Sequence, residues 1–223
     1  MAKVKETSPL RPRKIIPLVI AIANQMIKEL RFVELINERV KWDKNHSGMS
    51  PGNLLKALVL STFTDVRIPL VHLIERLQPL DLSYLIGTEA EYNSINSFNV
   101  GRALEKTGES DSEGIFETLA LSAFQQYNIP ITRVHSDTST ISFHGEYDIS
   151  GLKLTDAEKE ELLIIEKGYN KDGRAGDHQM VLGQIVTEHG IPVANRPLNG
   201  STSDIEWNKE ALTYWDHINV STV

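Results

Sequence analysis

The chain has 223 residues, no cysteine, 23 Lys and Arg against 30 Asp and Glu, and a formal net charge of −7. That length suits one large domain or two small ones and is enough to bury a core. The lack of cysteine excludes a disulfide scaffold, a thiolate zinc site and a cysteine nucleophile.

The first 44 residues hold ten Lys and Arg against five Asp and Glu, so the remainder is strongly acidic. Residues 1–14, MAKVKETSPLRPRK, form a basic tail, read either as a solvated terminus or as an arm that touches DNA phosphates. This tail lacks the pattern of a signal peptide. The most apolar early run, Ile15 to Ile27, falls short of the roughly 20 residues a bilayer span needs. A soluble, cytoplasmic protein with no membrane partner is therefore expected.

Residues 15–128 read as a helical domain. Ile15 to Leu30 has apolar residues at helical spacing, with Pro17 tolerated near the start. Phe32, Leu35, Ile36 and Val40 fall on one face of a second helix. After a polar loop at 42–48, Ser50-Pro51 predicts a helix start, with Ser as N-cap and Pro in the first turn. Another helix is expected between Pro69 and Pro79, with further helices over Leu82–Ile86, Ser97–Lys106 and Ser112–Tyr127.

Residues 129–223 change character. Ile131 to Tyr147 is rich in Thr, Val, Ile and Phe and reads as a strand. Thr155 to Lys167 reads as an acidic helix or lid, opened by the capping-box pattern Thr155-Asp156-Ala157-Glu158. The stretches 178–190 and 191–200 read as a hairpin turning at His189-Gly190, and a helix begins at Ser203-Asp204. The fold class is therefore α+β.

Several chemical patterns fail on inspection. Asp43 to Gly48 opens like a calcium loop, but Leu54 stands where a bidentate Glu is needed. Gly168, Gly173 and Gly176 precede no G-K-[ST], so they make no phosphate loop. His135, Ser136 and Asp137 are adjacent on a strand and alternate in face, so they form no hydrolytic triad. Asp137 stands out because Asp is depleted in strands. A carboxylate there is exposed, hydrogen-bonded by neighbouring Thr and Ser hydroxyls, or bound to a metal.

Three stretches carry a resemblance: RVHSDTSTISFHGEY at 133–147, GYNKDGRAGDHQMVLGQIV at 168–186, and GIPVANRPLNGSTSD at 190–204. In order and spacing they resemble one branch of the DDE-class insertion-sequence transposases. That branch carries H-x-D-T-T-S-x-S-x-x-G-E-Y, then G-Y-S-K-D-x-R-P-D-L-K-Q, then G-I-P-x-x-x-x-x-x-G-N-T-S-D. Trp42-Asp43, Asn45-His46, Ser50-Pro51-Gly52, Leu55, Ala57 and Leu58 are similar to its helical N-terminal domain. The likeness covers nearly the whole chain.

The resemblance implies an RNase H-like catalytic domain, incomplete here, with Asp137 as the first catalytic and metal-binding carboxylate. The family's carboxylates hold two Mg²⁺ or Mn²⁺ ions for in-line attack on a phosphodiester. Two departures modify this. The chain reaches Val223 before the strand expected to carry the second Asp, so a truncated element is expected, with no productive metal binding and no strand transfer by this chain alone. The basic signature is also eroded: Asn170, Ala175, Gly176 and His178 replace family residues, while Lys171, Asp172, Arg174 and Gln179 persist.

Lys171 and Arg174 are candidate DNA contacts, and Arg102 on the Ser97–Lys106 helix is a third. The alternative is a solvated loop for Lys171 and Arg174 and an ordinary surface cation for Arg102. The helical domain is expected to bind the element's terminal inverted repeats, with a helix-turn-helix-like unit within Ser50–Leu77 as the candidate reader. The expected partners are DNA, another copy of the chain, or the full-length transposase, in a cytoplasmic, nucleoid-associated setting. A rival reading is a non-catalytic DNA-binding or dimerising regulator of transposition.

Overall fold

A computed structural model describes residues 14–43, 48–64, 69–87, 94–145, 147, 162–168 and 176–220, with the backbone alone at 214 and 216–220. The architecture is α+β: helices come first, then an antiparallel sheet with a final helix. Two compact units divide inside one helix, Met1–Ile115 and Phe116–Val223.

The first unit opens with α1, Leu18–Glu29, which starts behind Pro17 and buries Ile20, Ala23, Asn24 and Ile27. The carbonyl of Pro17 accepts the N–H groups of Ile20 and Ala21 at 3.0 Å each, which begins the helical ladder. Arg31 in the left-handed region (φ 52°) turns the chain into α2, Phe32–Arg39.

The next helix, α3, Pro51–Ser61, has the start its sequence predicts. The Ser50 hydroxyl accepts the Asn53 N–H at 3.4 Å, and Asn37 Oδ1, from α2, accepts the Gly52 N–H at 2.9 Å. Two donors that a helix start leaves open are thereby satisfied. Gly52 also lets the helices approach, since a Cβ there would lie 2.4 Å from the Val33 carbonyl oxygen. Leu54, Leu55, Ala57 and Leu60 place α3 in the core.

Pro69 starts a 3₁₀ turn, Leu70–His72, before α4, Leu73–Leu77. Then come α5, Leu82–Ile86, capped by Asp81, and α6, Ser97–Gly108, capped by Asn96. Helix α7, Ser112–Gln126, begins where Asp111 accepts the Gly114 N–H at 3.0 Å. Among the described residues, no helix is long and apolar enough to cross a membrane.

The second unit is built on β3, His178–Thr187. Strand β1, Val134–Phe143, pairs antiparallel along its whole length, from Val134 opposite Thr187 to Phe143 opposite His178. Strand β4, Pro192–Leu198, and the short β2, Glu166–Lys167, pair antiparallel with the other side of β3. The β3–β4 turn uses Gly190 at φ 74°, a conformation that favours glycine. Every second residue of β3 is buried, from Gln179 to Thr187.

Helix α8, Asp204–Val220, closes the unit. Its Trp207 is packed with Phe124, Val181, Ile185, Val193, Ala194, Leu198 and Ala211. Gly183 makes room for it, since a Cβ would sit 2.6 Å from the indole ring.

One expectation is corrected. Residues 162–167, the end of the stretch read as an acidic helix or lid, are not helical, and Glu166 and Lys167 pair with Gln179 and His178. The Ile164 N–H donates to Asn199 Oδ1 at 2.9 Å and its carbonyl accepts from Gly200 at 3.1 Å. Long-range partners for these backbone groups outweigh local helix propensity. The capping-box residues 155–158 lie outside the described residues.

Candidate functional site

Asp137 stands in the middle of β1, and the sheet register fixes its surroundings. Just beyond the strand end, the Glu188 N–H donates to the Arg133 carbonyl at 3.3 Å. In an antiparallel ladder such pairs recur at every second residue. Odd-numbered β1 residues therefore bond to β3, and even-numbered ones turn their N–H and C=O groups toward the edge where, among the described residues, no other strand pairs. The Asp137 carboxylate accepts one of these edge-facing groups, the Thr138 N–H, at 2.8 Å.

Side chains alternate in face along the strand. Thr138 is buried on the α8 side, where its hydroxyl donates to Asp204 Oδ1 at 2.5 Å. The Ser136 hydroxyl donates to Asn208 Oδ1 at 3.3 Å on the same side. Asp137 is exposed on the opposite face. There it lies across from Gln184, which lies across from Asn195 on β4. Gln184 Nε2 donates to Asn195 Oδ1 at 2.7 Å. A polar row thus crosses three strands, with the carboxylate at its outer end.

This row was not legible in advance, because Gln184 and Asn195 reach Asp137 only through the strand register. A divalent ion such as Mg²⁺ seeks near-octahedral oxygen ligation. Among the described residues, no group of three or more His, Asp or Glu side chains is placed to hold a metal ion.

Of the candidate DNA contacts, Arg102 lies half-buried on α6. Lys171 and Arg174 lie outside the described residues. Charge divides unevenly between the units: Met1–Ile115 holds fifteen basic and fourteen acidic side chains, Phe116–Val223 eight and sixteen.

Two features of the helical unit escaped the sequence reading. A groove of about 630 Å³ is lined by Arg39, Lys41, Lys106, Glu109, Ser110 and Asp111. The alternation of Arg39 and Lys41 about Val40 was its available signal. The second is Lys56 on α3, only 4 % exposed. Burial, with the neighbouring charge of Lys28, lowers its ammonium to about 8, against the opposing pull of Glu34.

Residues 16–121 match the model of a family described as a domain of unknown function, DUF4277. No curated protein and no solved structure matches the chain.

Proposed function

We propose that this chain comes from a DDE-class insertion-sequence transposase. On this reading the helical unit binds the element's terminal inverted repeats, and the sheet unit is part of an RNase H-like catalytic domain. Asp137 is then the first carboxylate of a site for metal-dependent DNA cleavage and strand transfer.

The observation that carries the reading is the place of Asp137. It sits mid-way along the first strand of an antiparallel β1–β3–β4 meander, on the face away from the helix that follows. This agrees with the position that the motif resemblance assigns to the first catalytic Asp.

The test is a salt titration of duplex binding by the purified chain, comparing the terminal repeat with scrambled DNA of equal length. Tighter binding to the repeat supports the reading, and no binding by folded protein overturns its DNA-binding half. The catalytic half is tested by Mn²⁺ broadening of amide signals around residue 137: weak, non-productive binding at this one carboxylate is expected, and Asp137→Asn should abolish it.

A second reading is a non-catalytic DNA-binding or dimerising regulator of transposition. Repeat binding without Mn²⁺ broadening would select it.

A further inference from the structure

We propose that the groove between the end of α2 and the α6–α7 turn is the phosphate-contact site of the helical unit, and that its ligand is the backbone of duplex DNA. The proposal rests on the DNA-binding reading above and names the surface that performs it.

The groove gathers three cations from two separate stretches of chain, Arg39 and Lys41 from one and Lys106 from the other. Val40 separates the first pair: it is extended (φ −89°, ψ 121°) and 4 % exposed, while Arg39 and Lys41 on either side of it line the opening. Lys106 comes from the last turn of α6, four residues after Arg102 and so on the same stripe of that helix.

The cations are not equally engaged. Lys106 Nζ is held by Glu109 at 2.5 Å, a short i,i+3 pair. Arg39 reaches Asp111 at 3.5 Å, a loose contact with a carboxylate that also accepts the Gly114 N–H of α7. Lys41 makes no ion pair among the described residues. The Arg39 and Lys106 side chains are about one-third exposed, at 35 % and 36 %. Both side chains keep part of their surface open to solvent, which suits contact with a ligand from outside.

The chemistry favours phosphate. A guanidinium fork matches two phosphate oxygens, and Lys adds a point charge. The opening is larger than a single phosphate requires, and its cations come from two elements. That layout fits successive phosphates along a strand better than one small anion. Glu109 then acts as a built-in competitor, because it holds Lys106 until a phosphate replaces it.

The test uses the full chain, a fluorescent duplex and a range of salt concentrations. Wild type, the double variant Lys41→Ala/Lys106→Ala, and Glu109→Gln are compared. Losing two phosphate contacts should reduce the slope of log K against log salt by about 2 and weaken binding about tenfold near 0.1 M salt. Glu109→Gln should tighten binding severalfold and leave it salt-dependent, a gain that a misfolded variant cannot produce.

Wild-type binding that neither variant alters would overturn the groove while the DNA-binding reading stands. No wild-type binding at any salt would overturn both. Displacement of the duplex by millimolar inorganic phosphate at constant ionic strength would also overturn the assignment, since it would mark a small-anion site. Should the double variant fail to fold by circular dichroism, Glu109→Gln decides alone.

Discussion

Strands β1 and β3 are each ten residues long and pair along their whole length, yet they bury very different amounts of side chain. β3 buries five alternate positions, and β1 buries only Thr138. The difference is one of place. β3 has partners on both sides and helices over one face, whereas β1, among the described residues, has a strand partner on one side only. A strand with one partner is held by register and by its ends, and a central strand is held by packing. Exposed polar residues such as Ser136, Asp137 and Ser139 suit the first kind, whereas the buried Gln179 and Thr187 of β3 are hydrogen-bonded, to the Gly200 carbonyl and from the Ile191 N–H.

The largest effect should therefore come from the packing on β3. Trp207 is 2 % exposed and covers Gly183, so Trp207→Ala removes a large buried ring and leaves a cavity. We expect a loss of about 3–5 kcal/mol, read as faster hydrogen exchange of the β3 amides. Gly183→Ala should come next. Its Cβ would meet the indole at 2.6 Å, and overpacking of this kind costs about 1–3 kcal/mol. The two changes are coupled. In the Trp207→Ala background the added methyl should be nearly neutral, and simple additivity would show that Gly183 is needed for another reason.

On β1 the same experiment should return little. Ile141 is 40 % exposed, so Ile141→Ala should cost less than about 1 kcal/mol. A cost comparable with that of Trp207→Ala would break the comparison and show that the edge strand is held by side-chain packing after all.

This contrast also explains what could be read from the chain itself. The hairpin of β3 and β4 was legible because apolar alternation and the His189-Gly190 turn are local signals. The start of α3 was legible because Ser50 and Pro51 carry their own stereochemistry. Residues 162–167 were misread because nothing nearby announces partners at Gln179, Asn199 and Gly200. Asp137 could be singled out as unusual in a strand, but its row with Gln184 and Asn195 depends on a register 47 positions away in the chain for the first of them. The cationic groove stayed hidden for a similar reason: Arg39 and Lys106 are each ordinary at a helix end, and only the packing brings them together.

The smallest predicted effect concerns the end of β1, where register is secured. Glu188 lies in the β3–β4 turn and accepts hydrogen bonds from the Thr132 hydroxyl and, at 3.1 Å, from the Arg133 N–H. The Thr132 contact is the main cause that lowers its carboxyl from 4.5 to about 2, aided by backbone N–H groups and His189. A carboxylate favoured in the folded state stabilises fully above its unfolded pKa, and that contribution disappears as pH falls through the folded value. Glu188→Gln should therefore be slightly less stable than wild type above about pH 4.5, with the gap closing toward pH 2. Urea unfolding of both proteins across that range, followed through β1 amide exchange, checks the sign. A gap that stays constant with pH would mean that Glu188 holds β1 by shape and hydrogen bonding alone, and that its charge contributes nothing to pinning the edge strand.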